Sequence, residues 1–384
     1  MSDDDHLPQT PDELTPEYLG EALSELLDGR PVVGVTSEAV GTDDGMVALL
    51  HRLHLEVEGG GAAPTVIAKV PNEVAEVRAT AQIVGVYERE IRAYLDLLPD
   101  LPIRTPGVHV ARFDPDPAAR VQAQLKRGLD ALPVPVMRRL LRPLFAVAGA
   151  SDRRYLLIID DLAPAETGDQ EGESTDRVAA MLAVLARVHA HHWDGRALDR
   201  APWLDPLGDT TLIRAYWRRH HERIRARHEA LGAGWFDRLD TLDGLYGLLM
   251  EQLAMSPTTL LHGDPRFTNF LFPAEGDPFL IDWQILCTGP AAWDVTYLLH
   301  GGLTDEQWPE RTALVDAYLE ALAAEGVEVD RDAFDRDLAR AALAIAFRMV
   351  VSEDITAADD LGRTGVTTMI RRMVTRMGDA LPLS

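Results

Sequence analysis

The stretch LLHGDPRFTNFLF, residues 260–272, sets two apolar runs around a polar centre of His262, Asp264, Arg266 and Asn269. A second apolar run, FLIDWQ at 279–284, ends on another acid, Asp282. Apolar runs of this length read as short buried strands. A polar group buried among them costs free energy unless something pairs with it. These residues must therefore answer to one another or to a ligand. Asp264 and Asn269 stand in the spacing D-x-x-x-x-N, with a histidine two residues before the aspartate.

Outward from that centre, the chain reads as strands early and helices late. Residues 11–29 predict a helix entered at a Thr/Pro/Asp cluster and left at Gly29. VVGVTSEAV, MVALLHRLHLEVEG and TVIAKVP predict three strands of a small antiparallel sheet, the first two joined by the glycine-bearing turn GTDDG. Residues 73–98 carry apolar positions at helical spacing and are ended by the prolines of PDLPIRTP. YLLIIDDLAPA is an apolar run closed by two acids. Helical patterns then fill 174–193, much of 205–254 and about 304–380. This layout predicts an α+β protein of two lobes. The expected division is an N-terminal helical extension at 1–30, an N-lobe at 31–158 and a helical C-lobe at 159–384.

Composition sets the outer bounds. The chain has 384 residues, 46% of them hydrophobic and 26% charged, which suits a globular protein with real cores. It has no apolar run of the roughly 18–20 residues that a membrane span needs. The acidic opening MSDDDHLPQTPDEL is unlike a basic-then-apolar signal peptide, so a cytoplasmic location is expected. A single cysteine, Cys287, rules out an internal disulfide and any cysteine-based zinc site. A net charge of -25 argues against nucleic acid as a partner, because the average field repels phosphate backbones. One stretch departs from it. Residues 120–154 hold Arg120, Lys126, Arg127, Arg138, Arg139, Arg142, Arg153 and Arg154 against Asp130 and Asp152. It reads either as a solvated helical face or as a lid or docking surface for an anionic group or membrane.

Lys69 is the other singular residue. Of the 37 basic residues only two are lysine, so arginine is the default cation here. A lysine inside the strand TVIAKVP points to a need for a compact point charge, such as one that meets the α and β phosphates of a nucleotide. It needs an acid to hold it. Glu90, on the following helix, is the first candidate and Glu88 the second. The chemistry that wants all these types is transfer of a γ-phosphoryl group. That reaction asks for positioning, for charge neutralisation and for a carboxylate to accept the proton of the attacking hydroxyl. Asp264 is the expected carboxylate. Magnesium takes hard oxygen ligands, and Asn269 and Asp282 are the expected pair. Arg266, two residues beyond Asp264, can steady charge on the transferring group. His262 is expected to brace the loop, and Asp294, in WDVTYLL, to brace it or cap the next helix. The aromatic positions Trp203, Tyr216, Trp217, Trp235 and Phe236 can wall an acceptor site or fill core.

HGDPRFTNFLF, FLIDWQ and GPAAWDVTYLL together resemble the aminoglycoside phosphotransferase and choline kinase superfamily, in wording nearest to its ecdysteroid-kinase-like and related bacterial branches. LARVHAHHW at 185–193 and YLLIIDDL resemble that family's helix and its hinge. The resemblance runs from about residue 37 to residue 300. It implies the bilobal kinase-like fold, ATP in the cleft with Mg2+, and a small-molecule hydroxyl acceptor on the helical lobe. It implies a catalytic loop at 262–269 with Asp264 as base, a metal-binding segment at 281–284 with Asp282 joining Asn269, and Lys69 with Glu90 on the phosphates. Backbone at Ile159, Asp160, Asp161 and Leu162 would meet adenine, and Gly41 and Gly45 would bound the turn over the phosphates.

The chain departs from the wider kinase pattern at two points. The turn GTDDGM is not G-x-G-x-x-G, and Asp43 and Asp44 suit a phosphate site only if they face solvent. HGD replaces H-R-D, and Asp294 follows Asp282 by only 12 residues, which leaves no room for a phosphorylated activation loop. The expectation is a constitutively competent small-molecule kinase, with a catalytically silent nucleotide-binding protein as the alternative.

Overall fold

The computed structural model describes residues 7–41, 48–61, 64–114, 132–140, 153–195, 201–208, 210–231, 234–356 and 364–380. Its first part is a five-stranded antiparallel sheet built from β1 (Val32–Val40), β2 (Ala48–Val57), β3 (Thr65–Pro71), β4 (Val108–Phe113) and β5 (Tyr155–Asp160), in the order β1-β2-β3-β5-β4. The two-residue period of a strand sorts β3 onto two faces. Val66, Ala68 and Val70 join Leu53, Leu55, Leu156 and Ile158 in a core covered by Leu14, Leu19, Leu23 and Leu27 of the N-terminal segment. Ile67 and Lys69 therefore point to the opposite face, toward the helices that follow. That assignment of faces is what aims Lys69 at Glu90 and Asp282.

Those helices are α2 (Ala75–Val84) and α3 (Val86–Asp96). The sequence predicts one element over 73–98; the structure breaks it at Gly85, whose φ of 75° is the left-handed conformation that ends a helix. The N-terminal helix is also shorter than the expected 11–29. A 3-10 turn at Pro11–Glu13 precedes α1 (Pro16–Ala22), because Pro16 can open a helix but cannot sit inside one. Thr15 caps α1 by accepting from the Tyr18 N–H at 3.3 Å. Strand β4 escapes the sequence reading: VHVARF is short, follows a proline-glycine turn and lies at the sheet edge.

The remainder is mainly helical. It comprises α4 (Thr175–His191), α5 (Thr210–Arg227), α6 (Trp235–Leu253), α7 (Ala292–Gly302), α8 (Arg311–Ala324), α9 (Arg331–Thr356) and α10 (Thr364–Ala380). Short strands lie among them: β6 (Glu166–Thr167), β7 (Thr258–Leu261), β8 (Phe270–Phe272), β9 (Phe279–Leu280) and β10 (Cys287–Pro290). β7 pairs with β10, and β8 lies between β6 and β9. The aromatic positions of 203–236 divide. Trp217 and Trp235 are buried among Tyr246 and Phe347 as core, while Trp203 donates to Asp96 at 2.7 Å. Among the described residues no helix is long and apolar enough to cross a membrane. Of the basic stretch only 132–140 and 153–154 are described; Arg153 pairs with Glu88 at 2.8 Å.

α7 is nearly buried along its whole length. Near its end His300 lies edge-on to Trp308 with Arg376 and Arg311 close by, and its Nδ1 has no hydrogen-bond partner. Burial, then the two guanidinium groups, pull its imidazole from the ordinary 6.5 down to about 3. The folded chain thus takes up this proton only near pH 3, and the unfolded chain already near 6.5. Stability from His300 is complete above pH 6.5 and is lost as pH falls through that window. With about 1.4 kcal/mol per pKa unit, the loss over the whole window is on the order of 5 kcal/mol, most of it incurred by pH 4. Urea denaturation at pH 7 and pH 4 checks this: wild type should weaken markedly, and His300→Phe should show a flatter dependence.

Candidate active site

β7 delivers the chain to a loop that backbone hydrogen bonds alone do not hold. The carboxylate of Asp294, buried at the start of α7, accepts the N–H groups of His262 at 2.7 Å and Gly263 at 3.1 Å. The same carboxylate meets His189 Nε2 at 3.3 Å, and His189 Nδ1 faces the Tyr318 hydroxyl at 2.8 Å. His262 donates from Nε2 to the Ile281 carbonyl at 2.9 Å and accepts the Asp264 N–H on Nδ1 at 3.3 Å, which fixes the orientation of its ring. Gly263 is required twice over. Its φ is 86°, and a Cβ there would lie 2.5 Å from the Ile285 carbonyl oxygen.

This brace leaves Asp264 buried. Its Oδ2 is 3.2 Å from Arg266 Nε, and Tyr297 on α7 lies beside the carboxylate. Oδ1 is buried with no partner. Burial pushes the Asp264 carboxyl above its ordinary value, against Arg266 and Tyr297, which pull it down. Asn269 closes the 3-10 turn Phe267–Asn269, and its Nδ2 donates to the Asp264 carbonyl at 2.8 Å. That leaves its amide oxygen as the atom a cation would use.

The second acid arrives from the neighbouring strand. Ile281 donates its N–H to the Asn269 carbonyl at 3.0 Å, so Asp282 stands beside the end of the loop. It has a φ of 68°, uncommon for a non-glycine residue. Its Oδ1 accepts from Lys69 Nζ at 2.9 Å and its Oδ2 from Gln284 at 3.2 Å. Lys69 also donates to Glu90 at 2.7 Å. Glu90 lies on the buried face of α3 with Tyr87, Ile91 and Tyr94. Glu88 does not; it pairs with Arg92 and Arg153. Helical periodicity thus decides between the two acids. Burial pulls the Lys69 ammonium down, but Asp282 and Glu90 outweigh it and hold it charged. Burial raises Asp282 too, and Lys69 more than offsets this, so the carboxyl stays below its ordinary range. Burial pushes Glu90 up despite the same lysine.

The hinge acids use their side chains within the fold. Asp160 accepts from Gly107 N–H at 2.8 Å and meets His109 at 2.9 Å. Asp161 accepts from Arg52 at 2.7 Å, Thr65 at 2.6 Å and Ala163 N–H at 3.1 Å. What Ile159 to Leu162 can offer a ligand is backbone. Gly41 ends β1 with a φ of 72°. Gly45, Asp43 and Asp44 lie outside the described residues. The structure therefore brings Lys69, Glu90 and Asp282 into one cluster and Asp264, Arg266 and Asn269 into the adjoining loop.

Sequence reasoning missed Tyr297 and Gln284. Tyr297 is three residues after Asp294, on the same helical face, and that spacing was the available signal. The cluster sets the Lys69 and Arg266 cations against the Glu90, Asp264 and Asp282 carboxyls, and a buried carboxylate oxygen is unpartnered. Hard oxygens and surplus negative charge fit a divalent cation held by Asp282 and Asn269.

The model of the phosphotransferase enzyme family matches residues 109–336, which take in the loop, Asp282 and Asp294. The chain belongs to the phosphotransferase enzyme family. A search of curated protein sequences finds no match. Solved structures of phosphotransferases share the fold at low identity. A spectinomycin phosphotransferase, in complex with ADP and spectinomycin, has a TM-score of 0.53 at 12% identity, over 94% of this chain and 98% of that one. The ethanolamine kinase of Plasmodium vivax has a TM-score of 0.52 at 12% identity, over 95% and 89%. The macrolide 2'-phosphotransferase of Brachybacterium faecium, an apoenzyme, has a TM-score of 0.50 at 15% identity, over 92% and 98%. These findings bear out the expected α+β kinase-like fold and the superfamily. At that level the chain is a small-molecule kinase.

In this phosphotransferase Asp294 is the brace of the loop. Asp294→Ala would strand two buried N–H groups and the His189 ring. At about 1–3 kcal/mol for each unsatisfied group, a loss of several kcal/mol is expected in the free energy of unfolding by urea. Asp294→Asn, which keeps one acceptor oxygen, should lose less.

Proposed function

We propose that this phosphotransferase moves the γ-phosphoryl group of ATP, with Mg2+, to a hydroxyl group of a small molecule. The observation that carries the reading is the pairing of Lys69 with Glu90 and Asp282 beside a buried Asp264 whose Oδ1 has no partner. The reaction needs charge for the phosphates and an oxygen for the proton of the attacking hydroxyl, and the site offers both. ADP in the spectinomycin phosphotransferase structure supports a nucleotide in the same fold. In this reading the sheet lobe, 31–158 with the extension 1–30, holds the nucleotide, and the helical lobe, 159–384, supplies the loop and the acceptor side.

The roles follow from position. Lys69 meets the α and β phosphates, and Glu90 keeps it aimed from α3. Backbone at Ile159 to Leu162 takes the adenine edge. Asp282 and the Asn269 amide oxygen would hold magnesium, which supplies charge to neutralise the phosphate oxygens when bound. Asp264 takes the proton of the acceptor hydroxyl through Oδ1 as that oxygen attacks phosphorus and the bond to the leaving ADP oxygen breaks. Arg266, on the other oxygen of Asp264, pulls against the upward push of burial on that carboxyl and offers a cation to the transferring group. Tyr297, kept protonated by burial, lies beside the same carboxylate and helps fix its rotamer.

Calorimetric titration with ATP, with and without magnesium, tests the site first. Wild type should bind more tightly with magnesium, and Asp282→Ala should lose that increment; equal dependence on magnesium in both would remove Asp282 from metal binding. With an acceptor found by screening phosphate transfer, Asp264→Asn should lower turnover by about 10²–10⁴-fold, the span of general-base effects, while Mg-ATP affinity stays put. An Asp264→Asn enzyme at wild-type rate would sink its role as base.

A further inference from the structure

The catalytic loop is gripped at its far end as well as at Asp294. Phe267, the first residue of the turn that ends in Asn269, donates its N–H to the side-chain oxygen of Gln170 at 3.2 Å. Gln170 is buried, and its amide nitrogen donates to the Gly301 carbonyl at 3.1 Å. Two glycines let Phe267 approach this closely. A Cβ on Gly302 would fall 2.2 Å from the Phe267 ring, and one on Gly168 would fall 2.3 Å from the Phe267 carbonyl oxygen. The turn is thus pressed between the segment after β6 and the C-terminal end of α7.

What holds those two walls together is a buried guanidinium that directs its donors at backbone carbonyls. Arg372, on α10, donates through Nη1 to the carbonyls of Gln170 and Gly302, each at 2.8 Å, and through Nη2 to that of Glu171 at 2.8 Å. Gly301 and Gly302 are the last residues of α7, whose free carbonyls carry the negative end of the helix dipole. One guanidinium therefore caps α7 and fixes the backbone of Gln170 in the same fork. A buried arginine is costly unless its donors are met, and here the acceptors belong to the two elements that flank the loop.

We infer that Gln170, held by Arg372, is a positioning residue for the catalytic loop: it fixes Phe267 and through it the Asn269 end of the turn. The chain of contacts runs from α10 through Arg372 and Gln170 to Phe267, then two residues on to Asn269. For the metal end of this statement the inference rests on the proposed role of Asn269 as a magnesium ligand. α7 then acts as a rod that steadies both ends of the loop. Asp294 at its start takes His262 and Gly263, and its last turn backs Phe267.

The test compares the full-length wild type with Gln170→Leu and Arg372→Lys by two readouts. Backbone hydrogen exchange over 262–272 should be about 10-fold faster in Gln170→Leu, while β2 exchanges as in wild type. The magnesium dependence of ATP binding should weaken by about 10–100-fold, as for lost supports of metal ligands, with magnesium-free ATP affinity unchanged. Arg372→Lys, which keeps the charge and loses the fork, should move both readouts in the same direction and stands in should Gln170→Leu not fold. Unaltered exchange at 262–272 would overturn the inference. Faster exchange with unaltered magnesium dependence would overturn it too, since the contact would then be structural alone. Should wild type show no magnesium-dependent binding, the proposed function fails, and exchange by itself decides whether Gln170 holds the loop.

Discussion

One ammonium group shared between two carboxylates ties the sheet to the helical part of this phosphotransferase. Lys69 comes from the middle of β3, Glu90 from α3 and Asp282 from the segment after β9, and all three are buried or nearly so. A buried ion pair is weak evidence for stability, because desolvation consumes much of the Coulombic gain. Removing one member is another matter, since it leaves an uncompensated charge in a poor solvent for it. The arrangement is better understood as a fix on position than as glue. It holds a cation and a carboxylate at one point of the cleft, and every element that feeds that point has its face set accordingly.

The strand period puts Lys69 on the face opposite to the N-terminal helix, and the helical period puts Glu90 rather than Glu88 on the buried side of α3. On the helical side, α7 does comparable work with different chemistry. Its first turn carries Asp294, which satisfies two loop N–H groups that have no strand partner. Its next turn carries Tyr297 against Asp264. Its last turn is glycine, so that Phe267 can lie against it. On this buried helix Asp294 and Tyr297 face the loop, Thr296 donates to the Leu338 carbonyl at 3.4 Å, and His300 Nδ1 is left without a partner.

Much of this was legible because the site breaks local rules. Polar residues inside apolar runs, at His262, Asp264, Asn269 and Asp282, stand out against the strand pattern, and a lysine stands out in a chain that otherwise uses arginine. Such conflicts between local pattern and composition are where function is expected. What escaped was set by contacts distant in sequence. Gln170 and Arg372 carry no motif, and their partners lie about 100–200 residues away in the chain, so only the fold brings them to Phe267. The break at Gly85 escaped because apolar spacing continues across it, and β4 because an edge strand of six residues carries too little pattern. The start of α1 escaped because Pro16 was read as part of a run when it opens the helix.

The unpartnered Asp264 oxygen completes the account. Nearly all buried polar atoms in folded proteins are satisfied, and leaving one unmet costs about 1–3 kcal/mol. Here the neighbours that could have satisfied it are directed elsewhere. The Asn269 amide nitrogen is committed to the Asp264 carbonyl, the His262 ring to Ile281 and to the Asp264 N–H, and Arg266 and Tyr297 already address the carboxylate. Oδ1 is thus kept bare by a ring of groups whose own bonds are fixed. In the proposed reaction, a hydroxyl placed against it would recover what the folded chain forgoes, which would draw the acceptor to the atom proposed to take its proton. On this view the brace at Asp294 and the grip on Phe267 serve one end: they prevent the loop from relaxing to satisfy Oδ1 by itself.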